Sequence, residues 1–326
     1  MPDWKTILRT RPFMFALILG VVLLVANVIA DPNFAEPGNL PEQLATWAPF
    51  ALVAMASTPS IVSGGGGLDI SVGPLTIVIN TMLVMWFLPH SGLDSALVAI
   101  PLLMIIGGIV GAVNGVLVTV FRYQPVIATL CMFFILTGVA LKIAPDPTRV
   151  SGVDWVPDFA NMVGPIPGAV ILIGIGVAIW AGLSRTSYHR VLYAVGGNDA
   201  TAYSSGVNVV GTRIIAYSLG GVFAALAGIA LTAVALSTQT TNVALYTLVA
   251  LAAVALGGTP LGGGRGGLLG SILGAACIYE MQTLLSALNV SGSWNQVAYS
   301  ILLIVGVVVG ARLQRTKTPD VQGATA

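Results

Sequence analysis

Tyr193-Ala-Val-Gly-Gly-Asn-Asp-Ala-Thr-Ala-Tyr203-Ser-Ser-Gly206 lies at the centre of the longest polar interval, Ser184 to Arg213, between two strongly apolar segments. Its local chemistry predicts a short helix. Gly196-Gly197 breaks whatever precedes it, Asn198 is a favoured N-cap, and Asp199 in the first turn meets the positive end of the helix dipole. Gly206 supplies the C-terminal stop. A helix this short does not persist alone in water. Ala200, Ala202 and Tyr203 are small or flat side chains suited to a groove on another protein, and Arg185, His189, Arg190 and Arg213 surround them with positive charge. The competing reading is a loop helix that only joins two spans.

The rest of the chain decides what kind of spans these are. Of 326 residues, 56% are hydrophobic and 8% charged, with a mean hydropathy of +0.94. Soluble domains carry roughly 25% charged residues, so this is the composition of an integral membrane protein. Apolar segments recur near 13–30, 44–63, 68–88, 96–120, 124–144, 165–183, 213–236, 242–258, 267–288 and 295–311. These predict an all-α polytopic fold of about ten transmembrane helices, because open strand edges cannot be satisfied in lipid. No sizeable soluble domain fits. The first run, Phe13 to Ala30, superficially resembles a signal peptide; it is long enough to span and ends at Asp31-Pro32 without a small-residue cleavage pattern, which predicts a retained helix. The expected organisation is a tail at 1–12, one transmembrane domain at 13–311 with the polar loop 184–213, and a second tail at 312–326.

With the N-terminus inside, Lys5, Arg9, Arg11, Arg122, Arg185, Arg190, Arg213, Arg265, Arg312, Arg315 and Lys317 all fall on the cytoplasmic side, and Lys142 and Arg149 outside. That asymmetry follows the positive-inside tendency, placing both termini and the polar loop in the cytoplasm. Acidic residues concentrate on the opposite side. The stretch 145–166 is long for a simple connection and carries Asp154, Trp155, Asp158 and Phe159, which suits docking of a soluble partner. An aromatic belt at the membrane interface explains the same rings.

Three glycine patterns shape the membrane part. Gly107, Gly111 and Gly115, and again Gly266, Gly270 and Gly274, recur every four residues and predict seams of close helix approach. The third, Ser63-Gly-Gly-Gly-Gly-Leu-Asp69-Ile-Ser71-Val-Gly-Pro74, must break the backbone between two spans. Asp69 and Ser71 are placed to cap the helix that restarts there. Broken helices expose backbone dipoles to transported solutes, so this break is a candidate path or gate; a tight turn is the alternative. A second break is predicted at Leu256-Gly-Gly-Thr-Pro-Leu-Gly-Gly-Gly-Arg265-Gly-Gly. It contains a G-x-G-x-x-G match, which without a βαβ unit is no dinucleotide site. Polar residues inside spans are few: Asn80, Asn114, Glu280 and Gln282, with Gln239 near a mouth. Ionisable groups there are candidate functional sites, and Glu280 is read as a structural or path-lining group, not a proton carrier.

Several chemistries are excluded. None of the three lysines follows a glycine, so there is no phosphate-binding G-K-[ST], and H-E-x-x-H and G-x-S-x-G are absent. His90 and His189 fall on opposite sides of the membrane. Cys131 and Cys277 sit in apolar runs, where packing is the expected role. Neither a metal, a cofactor nor a catalytic residue is expected.

Gly66-Gly67-Leu68-Asp69-Ile70-Ser71-Val72-Gly73, Tyr193-Ala194-Val195-Gly196-Gly197-Asn198-Asp199-Ala200 with Ser205-Gly206-Val207, and Leu256-Gly257-Gly258-Thr259-Pro260-Leu261-Gly262-Gly263-Gly264-Arg265-Gly266 stand in this order. Together they resemble the permease subunits of ribose-type sugar ABC importers over roughly residues 45–311. The resemblance implies a bacterial inner-membrane permease that works as a dimer, homo- or heteromeric, with two cytoplasmic ABC ATPase subunits and an extracytoplasmic solute-binding protein. It implies that the helix from Asn198 to Gly206 is the coupling helix seated in a cleft of the ATPase. This chain departs from the family pattern at Ser57-Thr58-Pro59-Ser60, at the four-glycine run with Pro74, and at Glu280, Gln282 and Thr283, where relatives tend to carry asparagines. The expected function is import of a sugar or sugar-like solute, with lipids but no nucleic acid as further partners. The alternatives are the same machine carrying a nucleoside, polyol or branched-chain amino acid, a secondary transporter driven by protons through Glu280, and a non-transporting scaffold.

Overall fold

The computed structural model describes residues 13–153, 155–241 and 243–315; the expected tails at 1–12 and 316–326, and Asp154, lie outside the described residues. Each of the ten apolar segments is a helix: α1 (Met14–Ala30), α2 (Leu40–Val62), α3 (Val72–Met82, continued by a π turn at Leu83–Phe87), α4 (Ala96–Thr119), α5 (Pro125–Ile143), α7 (Gly168–Ser184), α10 (Val209–Ala235), α11 (Val243–Leu256), α12 (Leu268–Ala287) and α13 (Ser293–Arg315). Between them lie the short α6 (Trp155–Asp158), a hairpin of β1 (Met162–Val163) and β2 (Ile166–Pro167), and two polar-loop helices, α8 (Ser187–Gly197) and α9 (Asp199–Ser204).

The ten are not equal. Five are long and apolar enough to cross a membrane singly, while Met14–Ala30, Val72–Phe87 and Val243–Leu256 are shorter. α3 and α11 are short because glycine-rich breaks, 63–71 and 257–267, remove one end of each.

α2 and α10 form the centre. α2 is buried from Ala48 to Val62 without interruption, and α10 nearly so from Phe223 to Ala233. A helix apolar all round belongs in an interior, and these two pack on each other. α10 also runs along α4 and α3, and α12 joins α1, α2 and α11. The outer helices turn apolar residues such as Ile29, Leu97 and Phe134 outward, as hydrocarbon surroundings require.

The predicted glycine seams are present, with one correction. A Cβ at Gly107 or Gly111 would strike the Gly221 or Tyr217 carbonyl of α10, and one at Gly115 would lie 2.8 Å from the Ile214 Cα. Gly270 and Gly274 hold α12 against the backbone of Gly257, just past α11, and of Ala253 within it. Gly266 does not join that seam: it precedes α12, with φ +91°, and packs on Thr259 within the break.

Candidate functional site

The polar loop folds as its sequence predicts around α9. Asn198 Oδ1 accepts from the Thr201 N–H at 3.0 Å, which caps the helix, and Asp199 occupies the first turn. Gly206, with φ +80°, ends it by donating its N–H to the Tyr203 carbonyl at 2.9 Å. Tyr203 is 76% exposed and Ala200 is exposed beside it. Ala202 differs from the expectation: it points inward and is buried, because a helix resting on a surface must turn one face down. The sequence reading did not foresee α8. It meets α7 at 84° and runs to Gly197, so what Gly196-Gly197 break off is this helix. Its Leu192 and Val195 are buried while Arg190 is exposed, a period that was legible in Tyr188–Val195.

What the sequence could not show is where this loop lands. The α8–α9 corner, the first break and the second break meet in one backbone-on-backbone junction. The Gly264 N–H donates to the Val62 carbonyl at 3.0 Å. A Cβ added at Gly64 would sit 2.8 Å from the Gly196 Cα, and one at Gly264 would sit 2.6 Å from the Gly197 Cα. Gly196 itself lies against the Val62 carbonyl and the Gly264 backbone with no room for a side chain. Side-chain bonds surround this junction: the Tyr193 hydroxyl donates to the Gly266 carbonyl at 2.9 Å, and the Tyr188 hydroxyl to the Thr212 carbonyl at 3.0 Å. Arg213 Nη2 pairs with Asp199 Oδ2 at 3.1 Å, the one ion pair among the described residues.

Beyond the junction the first break carries a buried polar cluster. Asp69 Oδ1 accepts from the Ser71 N–H at 2.9 Å and from Ser71 Oγ at 2.7 Å, and Asn114 Nδ2 on α4 donates to Ser71 Oγ at 2.7 Å. Asp69 thus braces the start of α3, but Ser71 caps no N–H of α3: its hydroxyl donates to Asp69 and its oxygen accepts from Asn114. The Ile70 N–H donates to Thr129 Oγ1 on α5, and its carbonyl accepts from Thr247 on α11. Asn80 stands apart, at the far end of α3. Its Nδ2 donates to Thr232 Oγ1 at 2.8 Å and the Ser237 carbonyl at 3.1 Å, while its Oδ1 accepts from the Gln239 N–H at 2.7 Å.

Glu280 and Gln282 lie on α12 without touching that cluster. The Glu280 carbonyl accepts from Asn27 Nδ2 of α1 at 2.9 Å, Thr283 Oγ1 donates to Asn27 Oδ1 at 3.1 Å, and the Tyr299 hydroxyl donates to Gln282 Oε1 at 2.7 Å. Asn27, a lone amide in an apolar run, is the residue the sequence reading missed; its isolation was the signal. Among the described residues Glu280 bonds to α1 through its backbone alone, and its buried Oε2 has no partner there. Replacing Glu280 by Gln should therefore leave ATP-driven uptake within twofold of wild type across neutral pH, about 0.4 kcal/mol by the affinity scale. Uptake that vanished in the Gln variant and followed an imposed proton gradient without ATP would assign Glu280 a proton.

On the loop from 144 to 167, Trp155 donates its indole N–H to the Asp94 carbonyl at 2.5 Å and stacks edge-on against Phe159 with ring centres 5.8 Å apart. Asp158 is exposed. The loop is clipped to the end of α10 through the Val150 N–H to Leu236 carbonyl and Thr238 N–H to Thr148 carbonyl bonds. An apolar cavity of about 560 Å³ between α4 and α10 is lined by Met104, Ile105, Ile109 and Val222, and none of the predicted path residues borders it. No group of three or more His, Cys, Asp or Glu able to hold a metal occurs among the described residues.

Comparison with known proteins adds to this geometry. Residues 39–308 match the family described as branched-chain amino acid transport system / permease component. The chain is 34% identical to the ribose import permease protein of Escherichia coli K12 over 92% of this chain and 94% of that one. It is equally 34% identical to the ribose import permease protein of Bacillus subtilis, over 92% of each. It is 30% identical to a fructose import permease protein of Bifidobacterium longum over 91% of this chain and 90% of the other. No solved structure matches the chain significantly. Permease components of this family carry no ATPase chemistry; they work with separate ATPase subunits and binding proteins. The match over residues 39–308 and the 34% identity along nearly the whole length, on a helical, multi-pass architecture, place this chain in that family: it belongs to the permease components of ABC importers.

Proposed function

We propose that this chain is the membrane permease of an importer for a sugar or sugar-like solute, driven by cytoplasmic ATPase subunits that dock on α9. One observation carries the reading: α9, capped at both ends and presenting Tyr203, directly follows the Gly196-Gly197 end of α8 that sits on the junction of the two helix breaks, and its first residue is paired with Arg213 beside that junction. A docking helix placed there moves the breaks when it moves. The basic residues around the loop support a cytoplasmic location for α9 and for both termini. The sugar follows from the names of the relatives, whose substrates are ribose and fructose. A second permease subunit, identical or different, completes the complex, and the buried cluster of Asp69, Ser71 and Asn114, with Asn80, Glu280 and Gln282, lines or supports the route.

The testing experiment is reconstitution of the chain with its ATPase subunits and binding protein in liposomes, with labelled ribose, fructose and allose as probes. Uptake that requires ATP and the binding protein supports the proposal; uptake of all three failing while a branched-chain amino acid enters would replace the sugar.

The stretch 145–166 is proposed as part of the binding-protein surface. Trp155 is held by Asp94 and Asp158 is exposed, so the acids of the loop are proposed to meet the partner. Changing Asp154 and Asp158 together to alanine should reduce stimulation of ATP hydrolysis by the loaded binding protein about threefold to tenfold, chiefly through slower association, and the deficit should shrink in high salt. Unaltered stimulation at low ionic strength would remove the loop from the docking surface.

A further inference from the structure

We propose that Arg213 is the linkage that carries movement of α9 into the helix break at the end of α2; the proposal rests on the functional reading above. Arg213 lies in the second turn of α10 and its guanidinium touches two separate pieces of chain, the start of α9 and the first break. Nη2 pairs with Asp199 Oδ2 at 3.1 Å, on the first residue of α9. Nε donates to the Ser63 carbonyl at 3.4 Å, the first carbonyl beyond α2. The group also covers Gly65, where φ is +64° and a Cβ would lie 2.5 Å from Nη2. The space over the break is shaped for this side chain.

These contacts differ in kind from the glycine junction beside them. There, backbone rests on backbone around Gly64, Gly196 and Gly264, with the Gly264 N–H to Val62 carbonyl bond joining the two breaks, and this contact fixes where α8 ends. α9 begins only after Asn198, whose extended backbone (φ −161°, ψ 105°) turns the chain away. Ala202 packs α9 against its support, and Arg213 supplies the directional bond. A planar guanidinium can hold a carboxylate and a carbonyl at once, each along a different N–H, which an ammonium point charge cannot do in the same way. The Ser63 carbonyl sits at the negative end of the α2 dipole, which favours a cation there. Arg213 is mostly covered whereas Asp199 is half exposed, so a docked subunit that shifts α9 acts on the accessible partner and the buried one receives the displacement. Through Arg213 that displacement reaches α10 and α2, the two central helices, together.

With Asp199 half exposed, solvent screens the pair and it contributes little to stability, so its loss should be read in coupling and not in folding. In liposomes holding the permease, its ATPase subunits and its binding protein, with ribose as the probe sugar, two quantities are measured: ATPase recovered per permease, and ribose imported per ATP hydrolysed. Arg213→Ala should keep the first and lower the second about tenfold, the size of an ordinary coupling between sites. Arg213→Lys, which keeps charge and approximate length, should also fall below wild type. The exchange Asp199→Arg with Arg213→Asp restores an ion pair but sets a carboxylate against the Ser63 carbonyl, and it should stay uncoupled. A wild-type import ratio in either single variant, or full recovery in the exchange, overturns the linkage. Loss of ATPase recovery in Arg213→Ala also overturns it, since Arg213 would then hold the docking surface itself. Wild-type permease that fails to retain the ATPase sinks the functional reading instead.

Discussion

Gly196→Ala should destabilise the protein by about 2 kcal/mol or more and abolish transport, whereas Gly197→Ala, one residue along, should do neither. A methyl group at Gly196 would run into the Val62 carbonyl and lie 2.7 Å from the Gly264 amide nitrogen. All of these neighbours are backbone, so no side chain can rotate away, and forced overpacking of this kind costs about 1–3 kcal/mol. Opening the junction would also lengthen the Gly264 to Val62 hydrogen bond, whose loss adds about 1 kcal/mol. At Gly197 an added Cβ meets nothing within 4 Å, and alanine near the end of a helix costs nothing in propensity. Thermal unfolding in detergent and ATP-driven uptake in liposomes would measure both variants side by side. Equal melting temperatures for the two would show that the junction is not closed as described.

Ala200→Glu and Tyr203→Ala are expected to separate the permease from its ATPase while leaving insertion and melting temperature unchanged. Both side chains lie on the exposed face of α9 and neither carries a contact on which the fold depends. A protruding aromatic ring is the usual anchor of an interface, and truncating one costs about 2 kcal/mol, roughly a thirtyfold loss of affinity. A charge forced into the apolar centre of a groove costs at least as much. Co-purification of ATPase with the tagged permease reads the effect directly. Gly206 is a less clean test of the same surface, because at φ +80° any side chain strains the helix stop before a partner is met. Full co-purification and uptake in Ala200→Glu would discard α9 as the docking helix.

The local chemistry of α9 was legible because capping is a short-range matter. Asn198 and Gly206 act on backbone groups within three residues, and no tertiary partner is needed to predict them. The seams at Gly107, Gly111 and Gly115 were legible for the same reason, a four-residue period being a property of one helix face. Gly266 was misplaced since its spacing matched that face although its backbone conformation belongs to a turn. The orientation of Ala202, and the role of Asn27 in joining α1 to α12, depend on neighbours more than fifty residues away in sequence or on which face turns down.

By itself the sequence determined that this is a helical membrane protein, through apolar runs too many and too uncharged for a soluble core, and that its backbone breaks twice, through glycine density no helix tolerates. It also determined the start and stop of the helix after Asn198. The tertiary structure alone decided that the two breaks and this helix are one object. Glycines at 64, 196 and 264 carry no side chain, so no pattern of polarity or charge marks them as mutual neighbours; their meaning lies in backbone distances of about van der Waals contact, which exist only once α2, α8 and α12 have packed. The same holds for Arg213, one cation among several around the loop, which packing alone sets between Asp199 and the Ser63 carbonyl.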